Sequence, residues 1–370
     1  MTPFLTVQRL ALAGLAAFFV VPAAAAPAKP ADLASALQLV HVQRHSDGPP
    51  VVVVVAQKEA VLSDYVVPYG VLAQSGIAKV ISVNLADGLL KAGPLTLIPD
   101  MTAAEFDRAY PDGADYVIVP ATADHHAEEI AWLREQRTHG AAMVSICDGV
   151  EVLAETGALD GRHATGHWAS LPGRRKDFPR VMWMTNLRYV ADGDTASSAG
   201  VSASLPISLA LVETIAGTQV ARQTAHRLGV ESWDAVHDSD IFKVGAGDIA
   251  VHAANMHLKR DEVVALTVRE GDDEVALSLH AEAWSRTMRD QVRLVSDLGG
   301  AVRLRGGLRV QTQAASSVKA DVRVTLREAT SAGAALAADL DLIAHRYGKG
   351  TARLAALGIE YPWGDLRVTR

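Results

Sequence analysis

The chain has 370 residues, 49% of them hydrophobic and 21% charged, with a formal net charge of -7. That is the composition of an ordinary globular protein with room for two domains, and its negative balance argues against a nucleic-acid partner, which needs clustered Lys and Arg. The single cysteine, Cys147, rules out an internal disulfide, and with no cysteine near the N-terminus a lipid-modified one is ruled out too.

Residues 1–28 read as a signal peptide or N-terminal anchor. Arg9 supplies the positive start, Leu10 to Val21 the apolar run, and Pro22-Ala23-Ala24-Ala25-Ala26 the small-residue exit. The run falls short of the ~20 residues of a spanning helix, which favours cleavage over a membrane tether. Either way the expected location is periplasmic or secreted. Residues 29–49, rich in Ala, Pro and polar side chains, read as a linker with a helical stretch at 33–44.

From Pro50 strands and helices alternate. Val51 to Ala56 is a continuous β-branched run, suited to a parallel strand covered on both faces. A helix is expected from Ser63 to Gly76, then strands at Val80–Asn84 and Leu95–Ile98, a short helix around Phe106–Tyr110, a strand at Tyr116–Pro120 and a helix at Ala127–His139. Met143 to Ile146 reads as a buried strand and Asp148 to Thr156 as a helix, which leaves Cys147 between a strand end and a helix start. There backbone N–H groups and the helix dipole both favour a thiolate. Val181–Met184 and Leu187–Val190 read as strands, Asp192-Gly193 as a hairpin turn, and Leu205–Ala216 as an apolar helix. The pattern predicts an α/β fold with a doubly wound, mostly parallel sheet, whose site lies beyond the strand C-terminal ends. The loops after Ala56 and after Pro120 converge there with Cys147. Arg174-Arg175-Lys176 reads as a solvated loop, and His125-His126 as loop polarity rather than a metal pair; no metal and no cofactor are expected.

Three phrases carry a resemblance: Ser145-Ile146-Cys147-Asp148-Gly149, Leu159-Asp160-Gly161-Arg162-His163-Ala164-Thr165-Gly166-His167-Trp168, and Ser198-Ala199-Gly200-Val201-Ser202-Ala203. Together with the element order they resemble the ThiJ/PfpI family of the class I glutamine amidotransferase-like superfamily, with a flavodoxin-like fold, over residues 50–230. The resemblance implies Cys147 as the nucleophile-elbow cysteine, Asp64 as the acidic residue aimed at its sulfur, and His167 as the histidine after the elbow helix. An ionised Asp64 would raise the thiol pKa, so its role is that of a protonated donor or of a base acting on substrate. Where many members carry a Pro-Gly-Gly oxyanion turn this chain has Pro120-Ala121-Thr122, and Asp148 follows the cysteine where protease-like members have histidine. Ala121, Thr122 and Asp148 are therefore the expected oxyanion or pocket residues.

The resemblance is to the branch that continues into an AraC-type DNA-binding domain, but here a connector (231–262) leads to what reads as a degenerate partial repeat or an α+β cap domain (263–370). Val263 to Val268 can be laid on Val51 to Ala56, and Val292 to Val295 on Val80 to Val83, at one offset. Thr330-Ser331-Ala332-Gly333 echoes Ser197 to Gly200, and Leu340–Glu360 echoes Leu209–Glu231. The second copy lacks the cysteine and has Ala276 where Asp64 would stand. ThiJ/PfpI domains commonly dimerise, so the expected assembly is a dimer or an intramolecular pseudo-dimer.

Two functions follow. One is an exported cysteine-dependent hydratase or hydrolase of a small carbonyl, nitrile-like or amide-like substrate, with Cys147 as nucleophile and Asp64 as proton handler. The other is a non-catalytic periplasmic sensor or binding protein for a small-molecule ligand. Asp64 with Cys147 favours the first, which leads; the Ala121-Thr122 turn and Asp148 favour the second.

Overall fold

A computed structural model describes residues 37–39, 48–259, 261–326 and 331–366. The expected signal peptide or anchor and most of the expected linker lie outside these residues; Leu37 to Leu39, within the helical stretch expected at 33–44, are described and are not helical. Among the described residues no helix is long and apolar enough to cross a membrane.

The first part of the chain runs β1 (Val51–Ala56), β2 (Glu59–Ala60), α1 (Leu62–Ser75), β3 (Lys79–Asn84), the hairpin β4 (Leu90–Ala92) and β5 (Leu95–Ile98), β6 (Met101–Thr102) and α2 (Ala103–Ala109). It continues with β7 (Tyr116–Val119), α3 (Ala127–Thr138), β8 (Ala142–Ser145), α4 (Gly149–Glu155), β9 (His163–Ala164), α5 (Leu171–Asp177), β10 (Met182–Trp183), β11 (Tyr189–Asp192), β12 (Thr195–Ser198), α6 (Ser204–Ala216) and α7 (Thr218–Leu228). Seven of these strands form one sheet in the order β11-β12-β8-β7-β1-β3-β6. All its pairs are parallel except the β11–β12 hairpin.

The all-apolar β1 belongs at the centre of this sheet because both its faces are covered. Val51, Val53 and Val55 pack with Phe106, Leu133, Met143 and Leu153 on one side, and Val52, Val54 and Ala56 with α1 and α6 on the other. At roughly 25 cal/mol per Å² of apolar surface removed from water, such a strand has no stable place at an edge. Two local expectations shift. Val181–Met184 yields only the short β10, paired with β9 outside the main sheet, and Arg174-Arg175-Lys176 lies in α5, with Arg174 buried rather than solvated.

The remainder runs α8 (Ala246–His257), β13 (Glu262–Thr267), α9 (Glu274–Ser285), β14 (Asp290–Ser296), β15 (Gly300–Arg303), β16 (Arg309–Ala314), β17 (Val322–Thr325), α10 (Ala332–Tyr347) and α11 (Lys349–Gly358). The region expected as α+β is an α/β arrangement: β17, β13, β14 and β16 are parallel neighbours, and only the β15–β16 hairpin is antiparallel. This order matches β7-β1-β3-β6 place for place. In both β1–β3 and β13–β14 the paired residues lie 28 positions apart, as Val51 with Lys79 and Glu262 with Asp290.

The two parts are joined as one body. The β4–β5 hairpin leaves the first sheet and pairs antiparallel with β16, so an eight-stranded sheet runs β17-β13-β14-β16-β5-β4-β2 with β15 on β16. Helix α1 lies against α9, and Gly70 permits the approach. A Cβ there would stand 2.7 Å from both the Glu274 Cγ and a Val275 methyl, inside van der Waals contact. One hydrophobic cluster consequently spans α1, α6, α9, α10 and α11.

Candidate functional site

Cys147 follows β8 and precedes α4 with φ at 57°, a left-handed conformation that costs a non-glycine residue about 1 kcal/mol or more. The turn is forced from both sides. The Ile146 N–H donates to the Val119 carbonyl at 2.9 Å, and the Gly149 N–H to the Ile146 carbonyl at 2.9 Å. At Gly149 a Cβ would lie 2.3 Å from the Val119 oxygen, so only glycine lets α4 start against the end of β7. The thiol is buried, with 6% of Cys147 exposed, and its own N–H points to the Ser198 Oγ at 3.4 Å.

Asp64 is fully buried in the first turn of α1. Its Oδ2 accepts the Ala121 N–H at 3.4 Å, while its Oδ1 has no partner. Pro68 lies within the same helix and supplies no N–H to the Asp64 carbonyl. Burial and then the Glu282 carboxylate hold the Asp64 carboxyl well above the usual range. Burial also pushes the Cys147 thiol well up, with Asp64, Asp148 and Glu360 adding to the rise and the Asp148 N–H opposing it. The helix start that favours a thiolate in isolation is outweighed here by a dry setting and three carboxyl groups.

The other expected residues have other partners. Ala121 spends its N–H on Asp64, and its carbonyl accepts the Val61 N–H at 2.8 Å. Thr122 turns its hydroxyl to the Asp124 carbonyl at 3.1 Å within its own loop. The Asp148 carboxylate takes the Ser170 hydroxyl at 2.5 Å and the buried Arg174 guanidinium at 2.8 Å. Gly166 leaves room for that guanidinium, since a Cβ there would be 2.9 Å from Arg174 Cζ. His167 accepts the Ala169 N–H on Nδ1 at 3.3 Å, which assigns the ring proton to Nε2, a buried nitrogen without a partner. Its ring borders Gly200, where a Cβ would be 2.6 Å from His167 Cδ2. His125 bonds Glu155 at 2.6 Å, and no cluster of three or more metal-ligating side chains is found among the described residues.

Further residues reach this site from the far end of the chain. Glu282, on α9, accepts the Ser63 N–H on Oε2 at 3.0 Å and pairs through Oε1 with Arg286 Nε at 2.7 Å. Glu360, just past α11, is fully buried. Its Oε2 accepts the N–H groups of Gly200 at 2.7 Å and Trp168 at 3.3 Å, and its Oε1 meets His237 Nε2 at 2.9 Å. Sequence reading registered Glu360 only as the end of an echo of Glu231, and nothing local marks Glu282, Arg286 or His237. The arrangement opposes a thiolate at Cys147 and leaves no uncommitted amide at Ala121 for an oxyanion.

The DJ-1/PfpI family model matches residues 50–214. Among curated proteins the chain is similar to the HTH-type transcriptional regulator CdhR of Pseudomonas aeruginosa, at 35% identity over 98 residues covering 26% of this chain and 29% of that protein. It is also similar to the HTH-type transcriptional regulator GlxA of Rhizobium meliloti, at 33% over 93 residues covering 25% and 28%. The matched stretch thus spans under a third of the length of these regulators. Among solved structures, Drosophila melanogaster DJ-1beta aligns with 50% of this chain and 100% of its own at 21% identity and a TM-score of 0.45. A THiJ/PfpI family protein from Pseudomonas syringae aligns with 50% and 76% at 22% identity and a TM-score of 0.45.

Proposed function

We propose that this chain, whose residues 50–214 match the DJ-1/PfpI family model, binds a small ligand beside the Cys147 elbow without covalent chemistry, as an exported sensor or binding protein. One observation carries the reading. The Ala121 N–H, placed where an oxyanion would need it, is bonded to the buried Asp64 carboxyl, and burial with carboxyl groups on several elements pushes the Cys147 thiol pKa up. A nucleophile needs the reverse arrangement, a depressed thiol pKa and free donors.

The curated relatives are named as transcriptional regulators, and residues 50–214 of this chain match the DJ-1/PfpI family model. In our reading residues 50–214 sense the ligand, and the C-terminal α/β region is a diverged second copy. Its matching strand order and 28-residue pairing support that origin. Export rests on the N-terminal sequence pattern alone.

A hydratase or hydrolase is the second reading, favoured by the left-handed Cys147 elbow with Asp64 nearby in the fold. Iodoacetamide alkylation of Cys147 followed from pH 6 to pH 11 separates the two. Binding without catalysis predicts a midpoint above the free-cysteine value of about 8.5. A midpoint at or below about 7 would reinstate the nucleophile.

A further inference from the structure

Glu360 is held in a way that a fastening of α11 does not require. The segment is already anchored through its backbone: the Ser202 N–H donates to the Ile359 carbonyl at 2.9 Å, the Ser202 hydroxyl to the Glu360 carbonyl at 2.5 Å, and the Trp168 indole N–H to the Leu357 carbonyl at 3.1 Å. The side chain is nonetheless driven inward from a backbone with φ at 55°, unfavourable for any residue but glycine. It meets two converging backbone N–H groups and one imidazole nitrogen, all from outside its own segment. Trp168, Phe242 and His237 wall the place, with Phe242 stacked on His237 at 5.4 Å and on Trp168 at 6.3 Å between ring centroids. Two N–H donors, one imidazole and an aromatic wall form a receptor for a short carboxylate.

The receptor adjoins the elbow. Gly200, which gives the Glu360 carboxylate its shortest bond, also borders the His167 ring and lies two residues beyond Ser198, the acceptor of the Cys147 N–H. Buried polar atoms without partners lie in this part of the fold: Asp64 Oδ1, the Ser63 hydroxyl and His167 Nε2. Such atoms are costly unless something else satisfies them at some stage.

We propose that the Gly200 and Trp168 amides with His237 are a carboxylate-binding site beside the elbow, and that Glu360 is its tethered occupant, displaced when a short aliphatic carboxylate binds. The proposal deepens the ligand-binding reading above and rests on it. Tethering gives Glu360 a high effective concentration, so a free carboxylate competes with it only by adding contacts toward His167 and Asp64.

Glu360→Gly tests this, because it leaves a vacancy the shape of propionate and suits the left-handed backbone. At pH 8 the variant should expose Cys147 to alkylation about tenfold faster or more than wild type. Propionate should restore the slow rate saturably, while propionamide should not. Glu360→Gln, nearly isosteric, should give an intermediate rate that propionate also suppresses. A wild-type rate in Glu360→Gly, or a fast rate indifferent to propionate, would overturn the proposal. So would an unfolded Glu360→Gly accompanied by a wild-type rate in Glu360→Gln, which makes the carboxyl a structural fastening. Failure here with a high alkylation midpoint in wild type leaves non-covalent binding standing; a low midpoint removes that reading itself.

Discussion

The Ser63 N–H at the start of α1 donates to Glu282 on α9 at 3.0 Å, across 219 positions of the chain. The same carboxylate holds the Arg286 guanidinium, so one α9 residue ties the helix that carries Asp64 to the second half of the protein. Glu282→Ala leaves Arg286 without its partner and removes the acceptor of the Ser63 N–H, and should cost about 3 kcal/mol of stability in urea unfolding. The double variant Glu282→Ala/Arg286→Met should regain much of that loss, because a neutral apolar pair avoids stranding a charge. A double variant as unstable as the single would show that Arg286 is not the group being stranded.

Gly149→Ala should be among the most damaging small substitutions. Its methyl would meet the Val119 and Pro120 backbone at 2.3 to 2.8 Å, and backbone atoms have no rotamer with which to yield. A loss above about 3 kcal/mol in denaturant unfolding is expected. Gly173→Ala, with no atom within 4 Å of the new methyl, should be close to neutral as a control.

Glu129 predicts a pH dependence. Its carboxyl is buried on α3 with both oxygens unpartnered, and burial, with Glu155 adding and His125 opposing, pushes it up to about 7. The folded state binds this proton more tightly than the unfolded chain does. Its contribution is therefore complete below about 4.5, where both states are protonated, and is lost as pH rises toward 7. Glu129→Gln should remove that loss, with a gain on the order of 2 to 3 kcal/mol at pH 8 and little change at pH 4.5. Equal effects of the substitution at both pH values would refute it.

The thiol itself should respond to its neighbours. Asp64 and Asp148 both raise the Cys147 pKa, so Asp64→Asn and Asp148→Asn should each move the alkylation midpoint downward. Arg174 remains buried when Asp148 becomes amide, so that variant should also lose stability, by roughly 1 to 3 kcal/mol. Burial is the largest cause and survives both changes, so neither variant should bring the midpoint to neutrality.

The elements that could be read in advance are those with a local cause. Val51 to Ala56 is legible as a doubly covered strand because six apolar residues in succession leave no face for water. The turn at Asp192-Gly193 marks the β11–β12 hairpin in the same way. Arg174 was misread for the converse reason. Three adjacent cations look solvated until Asp148, which precedes α4, is folded back over the first of them.

Local pattern thus sufficed for the parallel sheet and for the strand-to-helix turn at Cys147, since periodicity and turn chemistry act over a few residues. The state of the elbow depended on long-range assembly. Glu282 and Glu360 reach Ser63 and Gly200 from 219 and 160 positions away, and no short-range spacing announces such partners. The protonation of a buried group follows the sum of the charges and the water around it. For Cys147 and Asp64 that sum is settled only when the two halves of the chain close on each other.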